Sequence, residues 1–431
     1  MILAFIKVIN QFFPDLFERI KIIPDFRKKS HYDIVEVIFA GITLFLFKEG
    51  SRNAMNNDRE ALRFKKNYKR AFKLRLPHMD TVEEVLRILP ESYLEELKKQ
   101  MIQLLFEKKF FNTSRRLFNE YIIVAVDGCH VMNVNEGHCE HCLYKEFKSG
   151  KIVYFHQVLE AKIVTPDGFA ISIATEWIEN PVGEYDKQDC EQKAFLRLAE
   201  KIKREYPRLK ICIAADGLYP NITFFKTCLK NDWEWIVTFK DGNLKSVWEE
   251  VESLLDMYKK NNTNEIRVTT SYEHGKPVVQ AYQWVNSIDY KGITLNWLEC
   301  IEEKKEKKTH FVHLTSFEVT YHNVQELSLS GRLRWKIENE GFNIQKNHGY
   351  GLGHKYSRVS FLATKNWYQL LQIGHLINQL VELSSCVKAL LIGKQTIKNL
   401  WKRLIGFLSE NLIDRLEIDD IYNTKYQIRF G

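Results

Sequence analysis

Three acidic positions in this sequence have the type and spacing to do metal-assisted chemistry. They are Asp127 in Asp127-Gly128, Asp216 in Asp216-Gly217, and an acid of the segment Gly331-Arg-Leu-Arg-Trp-Lys-Ile-Glu-Asn-Glu340, either Glu338 or Glu340. Carboxylates are hard oxygen donors that suit Mg²⁺ or Mn²⁺. Two such ions roughly 3.5–4 Å apart clamp the attacking and leaving oxygens of an in-line phosphoryl displacement. An Asp-Gly pair taken alone is an ordinary way to turn a chain. Glu338 taken alone could be a surface partner of Arg334 one helical turn back. The chemistry therefore depends on a fold that brings the three acids together.

A second group holds soft ligands. Cys129-His130 is followed by His138-Cys139-Glu140-His141-Cys142, with His156 and Cys190 further on. Cys-x-x-Cys with a nearby His is the local half of a structural zinc site. Cys139, Cys142, His138 and Cys190 form one candidate ligand set, and His130 or His156 could replace a member. The alternative is a loop of reduced thiols with no metal.

A third group is basic. Arg59 to Arg75 contains eight Lys and Arg residues and one acid, Glu60. Lys65, Lys66, Lys69 and Arg70 at its centre suit a phosphate backbone, where neutralised charge releases counterions. A solvated helical face would have the same composition. Lys346, His348, His354, Lys355, Tyr356 and Arg358 surround three glycines after the last acid. That stretch reads either as a phosphate-contacting loop or as a helix connector.

Buried strands and crossovers must position the acids. Tyr121 to Val126 is a continuous apolar, β-branched run, expected to end at Asp127-Gly128. Two more strands, Ile152 to Val164 and Phe169 to Trp177, flank the turn Pro166-Asp167-Gly168 and complete an antiparallel meander. A helix over about 188–205 leads to the strand 210–215, which ends at Asp216. A helix over 221–229 then leads to a strand over 235–239, with Lys240 at its end. The order β-β-β-α-β-α-β puts Asp127 and Asp216 at the ends of strands linked by a crossover, where open α/β sheets place their chemistry. Alternating runs between about 263 and 320 predict a small β-rich module, and 324–346 returns to helix. Ahead of the sheet the chain reads as helical. Ile34, Val37, Ile38, Ile42 and Phe45 mark a buried helix, and Thr81 with Glu84 has capping-box form for a helix through Leu89. The helices on either side of Pro90 fit a helix-turn-helix or an ordinary bundle equally well.

Composition sets the frame for these elements. A chain of 431 residues with 45% hydrophobic residues lies outside the disordered class and predicts two or three domains. With 20 Gly and 9 Pro no long linker is expected. The net charge of +8 is concentrated in residues 1–116, where 23 basic residues meet 15 acidic ones. The eight cysteines do not form a disulfide framework in a chain with this much core. Met1 to Phe13 lacks a basic leader and cleavage site, and Ile34 to Phe47 is too short to span a bilayer and contains Glu36. The expectation is a soluble protein of a reducing compartment, without a membrane partner.

Val124-Ala-Val-Asp-Gly128, Ala214-Ala-Asp-Gly217 and Arg334-Trp-Lys-Ile-Glu-Asn-Glu-Gly-Phe-Asn343 together resemble the three acidic motifs of DDE transposases of bacterial insertion sequences. The resemblance covers about residues 120–365. It is to the branch with a ribonuclease H-like core, a β-strand insertion and a Tyr-Arg-Glu-Lys signature helix. It implies a mixed α/β sheet with flanking helices over 117–242 and 325–431, a β-rich insertion at 243–324, and a helical, DNA-binding region at 1–116. It selects Glu338 over Glu340, because Arg334 and Glu338 match the Arg-x-x-x-Glu part of the signature. The Tyr position is Gly331 and the Lys position is Gln345, with Lys346 one residue later. By resemblance, Asp127, Asp216 and Glu338 bind two Mg²⁺ or Mn²⁺ ions and catalyse cleavage at transposon ends and strand transfer into target DNA. Arg334, Lys346 and Lys240 join the basic cluster as DNA contacts. The partner would be double-stranded DNA, the working form a homodimer on DNA, and the location the bacterial cytoplasm at the nucleoid. A metal-dependent nuclease without strand transfer, or an inactive DNA-binding relic, would carry the same motifs.

Overall fold

Seven helices precede the first strand in the computed structural model, which describes residues 1–134, 139–263, 265–273, 275–305, 307–424 and 426–430. They are α1 (Ile2–Phe12), α2 (Leu16–Lys21), α3 (Ile34–Leu46), α4 (Arg52–Glu60), α5 (Leu62–Phe72), α6 (Met79–Leu86) and α7 (Ser92–Glu107). All thirteen residues of α3 are buried, and Asp33 with Glu36 closes a capping box at its start. Helix α6 departs from the expected limits. It begins at Met79, where His78 Nδ1 accepts from the Asp80 N–H, and ends at Leu86, so Thr81 lies inside it.

The strands form one ten-stranded mixed sheet. β1 (Ile122–Val134), β2 (Leu143–Glu146), β3 (Ile152–Val164) and β4 (Ala170–Ile178) contain the predicted meander, with β2 added beside β4 on the far side of β3. Helix α8 (Glu191–Glu205) crosses to β5 (Ile211–Ala215), parallel to β1, and α9 (Ile222–Lys230) crosses to β6 (Glu234–Thr238), parallel to β5. Residues 243–324 open with a helix, α10 (Lys245–Lys260), before the strands β7 (Arg267–Glu273), β8 (Lys276–Tyr290), β9 (Ile293–Lys304) and β10 (Lys307–Thr315). These strands do not make a separate sheet. β10 pairs antiparallel with β6, so the main sheet continues through β9 and β8 to β7. The backbone edge that β6 would otherwise expose is thereby hydrogen-bonded.

The expected helix over 324–346 is broken. It comprises α11 (Val324–Arg332), a turn at Leu333 and Arg334, a π-helical segment Ile337–Asn343, and the short α12 (Ile344–Asn347). After these come α13 (Phe361–Glu382), α14 (Ser385–Lys388), α15 (Ile397–Glu410) and α16 (Arg415–Asn423). Helix α13 is buried along most of its length and packs against α3, α6, α7 and β4. The side-chain NH₂ groups of two of its asparagines donate to the elements around it. Asn366 Nδ2 donates to Leu86 O (2.9 Å) and Leu89 O (2.7 Å), and Asn378 Nδ2 donates to Phe45 O (3.0 Å). Carbonyls at or just beyond helix C-terminal ends, which have no partner within their own helix, are paired in this way.

A buried polar network ties this helix to the sheet. Glu160, fully buried on β3 opposite Asp127, accepts from Tyr368 OH (2.5 Å), Thr175 Oγ1 (3.1 Å) and Ser172 Oγ. Lys98 of α7 donates to Ser172 and Thr175 at 3.0 Å each. Burial pushes the Lys162 ammonium down to about 8, with Glu160 opposing, and its Nζ donates to Gln372 Oε1 at 2.8 Å. Gln345 Nε2 reaches the same Gln372 oxygen (2.9 Å) and His375 Nδ1 (2.9 Å), which anchors α12 to α13. Buried polar groups are costly unless fully paired, so the network fixes these elements in one arrangement.

Candidate active site

β1 does not stop at Asp127. Its parallel pairing with β5 ends at Ala125↔Ala214, but β3 continues to pair with it as far as Val134↔Tyr154. Asp127 therefore lies in mid-strand at the level where β5 gives out, and Asp216 follows directly on the end of β5. Gly128 permits the close approach of α8, since a Cβ there would lie 2.2 Å from Glu191 Oε1. Glu338 stands on the π-helical segment, whose neighbour α12 is anchored through Gln345.

The electrostatics couple the three predicted acids. Burial raises the Asp127 carboxyl to about 6; Arg334 opposes this, while the charges of Asp216 and then Glu338 push it further up. Arg334 Nη1 stands 3.6 Å from Asp127 Oδ2. Asp216 Oδ1 accepts from the Leu218 N–H at 2.9 Å, and Lys240 Nζ lies 3.9 Å from Asp216 Oδ2. Glu340 faces elsewhere. It accepts from Lys336 Nζ at 2.9 Å and lines a groove with Arg116, Pro166 and Asn339. Of the two, it is the Glu338 charge that bears on Asp127. The carboxylates are spread rather than clustered: among the described residues only Cys139, Cys142 and His156 have ligand atoms all within 4.8 Å of one another.

A fourth acid joins the site that sequence reasoning missed. Glu191, the first residue of α8, accepts from Gln157 Nε2 at 2.7 Å. Burial raises its carboxyl, and Asp127 and Asp216 raise it further. An acid in the first turn of a helix is common enough to carry no signal of its own.

The two departures from the signature have structural causes. A Cβ on Gly331 would lie 2.6 Å from the buried His313 ring and 2.9 Å from Ile236 Cγ2, so no side chain fits there. Gln345 is buried and spent on the network, and the exposed Lys346 follows it in sequence. Lys346 lies against Cys129 and His130 of β1: burial pushes the Cys129 thiol up to about 11 with Lys346 opposing, and burial lowers the His130 imidazole with Lys346 adding to it. The glycine-rich stretch after it is a packed connector. Gly349 and Gly351, both at positive φ, press on the backbone of Lys48 and Gly50.

The basic cluster divides into two sets. Arg63 donates to Glu410 O, Arg70 to Ile413 O (2.6 Å), and Asn67 between them to Leu408 O (2.8 Å) and Asn411 O (2.7 Å). These residues hold the end of α15. Lys66 and Lys69 are exposed and line a cleft of about 530 Å³ with Lys73, Arg415, Asp419 and Arg70 itself, while Lys65 is half-buried. Of the thiol candidates, Cys139 and Cys142 meet His156; Cys190 is exposed at the N-cap of α8 outside that cluster, and His138 lies outside the described residues.

No protein-family model matches the chain, and no curated protein matches it either. No helix among the described residues is long and apolar enough to cross a membrane.

Proposed function

We propose that this chain is a DDE-type DNA transposase that cleaves DNA at transposon ends and joins the freed 3′-hydroxyl to target DNA. The observation that carries the reading is the placement of Asp127 on β1 beside Asp216 at the end of the adjacent parallel strand, with the charges of Asp216 and of Glu338 from a separate helical turn both bearing on the Asp127 carboxyl. The strand order β4-β3-β1-β5-β6, with β5 and β6 each reached through a helix, is the order expected of a ribonuclease H-like core and supports the same reading.

The donor set fits divalent ions. Asp127 is partly buried and feels the negative charge of Asp216 and Glu338, and Mg²⁺ or Mn²⁺ would relieve that repulsion with the oxygen ligands it prefers. Asp127, Asp216 and Glu338 would hold two such ions, which supply charge neutralisation at the scissile phosphorus. Arg334 keeps the Asp127 carboxylate oriented and ionised. Lys240 and Lys346, at the two flanks of the acids, meet the phosphates on either side of the cut. Both chemical steps exchange one phosphodiester oxygen for another, water first and then the 3′-hydroxyl, so no protein nucleophile is required. Joining two ends implies at least a dimer on DNA.

The test incubates purified protein with labelled DNA carrying the inverted repeats that flank the gene and a plasmid target, with Mg²⁺ or EDTA. Metal-dependent joined product is expected, lost in Glu338→Gln and kept in Glu340→Gln. Asp127→Asn and Asp216→Asn should bind ends without cutting them. Nicking without joining would make the protein a nuclease, and end binding without cleavage a DNA-binding relic.

A further inference from the structure

Away from the acids, the turn between β1 and β2 brings two thiols onto one imidazole. Cys139 and Cys142 are joined by a backbone hydrogen bond, Cys142 N to Cys139 O at 3.1 Å, which turns both side chains to one side. His156, on β3 opposite Met132 of β1, is 2% exposed and directs Nε2 at both sulfurs. The Nε2–Sγ distance is 3.4 Å to each cysteine, and the two sulfurs are 3.6 Å apart.

These separations are those of three corners of a tetrahedron around zinc. Bond lengths of about 2.3 Å to sulfur and about 2.0–2.1 Å to nitrogen put two sulfurs about 3.8 Å apart and sulfur and nitrogen about 3.5 Å apart. A disulfide would need about 2.05 Å between the sulfurs. The surroundings leave the imidazole no other polar use. Its ring stacks on Phe361 (centroids 4.1 Å apart, planes at 14°), and Nδ1 is buried without a hydrogen-bond partner. Among the described residues an imidazole so enclosed has the two thiols as its polar neighbours, weak donors and acceptors that satisfy it poorly. The segment that carries the thiols is held in place independently. Asn180 Nδ2 donates to Cys142 O (2.9 Å), the Asn180 N–H donates to His141 O (3.3 Å), and the His141 ring also stacks on Phe361 (centroids 5.4 Å apart).

We propose that Cys139, Cys142 and His156 bind a structural zinc ion, with the fourth position taken by a water or a further nitrogen or oxygen ligand. The ion would staple the β1–β2 connection to β3 and, through Phe361, to the first residue of α13. This fixes the outer half of β1 beyond Asp127, where β5 no longer supports it. The inference does not depend on the transposase reading, since it concerns different residues and a different metal.

Full-length protein purified without a polyhistidine tag, and reconstituted with zinc sulfate under reducing conditions, should hold about one zinc per chain. Zinc-edge X-ray absorption should give two sulfurs near 2.3 Å and the remaining ligands nitrogen or oxygen. Cys142→Ser and His156→Ala should each lose the metal. Because either variant could fail to fold, the unaltered protein supplies a second measurement. Thiol labelling mapped by mass spectrometry should leave Cys139 and Cys142 protected until a chelator removes zinc, while the exposed Cys190 and Cys386 react throughout. Absence of stoichiometric zinc, a Cys139–Cys142 disulfide in reducing buffer, or zinc retained in Cys142→Ser with an unchanged sulfur count would each overturn the proposal. A third sulfur would bring in Cys190 and overturn the ligand set.

Discussion

Replacing Gly331 with alanine adds one methyl group at the most crowded point between the signature segment and the sheet. That methyl would sit 2.6 Å from Cδ2 and Nε2 of His313 and 2.9 Å from Ile236 Cγ2, against the roughly 3.5–4.0 Å at which carbon atoms normally pack. Both neighbours are buried on the central strands β10 and β6, at 3% and 1% exposure, so neither can swing into solvent. Forcing an extra methyl into a packed core costs about 1–3 kcal/mol. Replacing glycine by alanine within a helix returns up to about 1 kcal/mol. The net expectation is a loss of about 1–2 kcal/mol, read as a lower urea midpoint with an unchanged slope. A second substitution, His313→Ala, opens space where the methyl points. Alone it costs stability by leaving a cavity, but combined with Gly331→Ala the losses should be less than additive, with a coupling of about 1 kcal/mol. Arg334 lies three residues further along the same backbone, so the single variant should also weaken DNA joining while the double variant recovers part of it. A Gly331→Ala protein as stable as the parent, or strictly additive losses, would refute the close-packing argument.

Other expectations follow from charges away from the acids. Burial and the hydrogen-bonded Asp58 raise the Glu49 carboxyl to about 8. The folded state therefore keeps a proton that the unfolded state has lost. The associated stability is fully present below pH 4.5 and is lost as pH rises through about 8, at no more than ~1.4 kcal/mol per pH unit. Glu49→Gln should flatten the fall in melting temperature between pH 6 and 9; an unchanged slope would contradict this assignment. The basic cluster should separate by role. Arg70→Ala leaves the Ile413 carbonyl without its partner and should cost about 1–3 kcal/mol of stability. Lys66→Gln with Lys69→Gln should leave the melting curve in place and reduce the salt slope of DNA binding by roughly 1.8, at about 0.9 per phosphate contact. A salt slope that does not move would remove these lysines from the DNA surface.

Much of the architecture was legible from local pattern. The β-branched run before Asp127, the meander around Pro166-Asp167-Gly168 and the crossover to Ala214-Ala215-Asp216 all have periodicities that report burial directly. The break in the last acidic helix was not legible. Arg334-Trp-Lys-Ile-Glu338 reads as one turn of regular α-helix, and the π-helical widening that follows depends on how α12 is tied to α13 by Gln345 and Gln372. The added strands β7–β10 alternate as a separate module would, and only the pairing of β10 with β6 makes them part of the main sheet.

For the site, the sequence by itself determined which residue types were available: carboxylates behind two buried strands, a thiol pair with two residues between them, and a run of cations. Tertiary structure decided which of them meet. The Glu338 charge bears on Asp127 while Glu340 pairs with Lys336, His156 meets Cys139 and Cys142 in place of the more distant Cys190, and Glu191 comes in from a helix with no motif. Tertiary structure also turned two members of the cationic run, Arg63 and Arg70, onto carbonyls at and just after the end of α15. The physical reason is one of range. Backbone preference and burial are set within a few residues, whereas metal binding and charge coupling depend on distances of a few ångströms between side chains far apart in sequence.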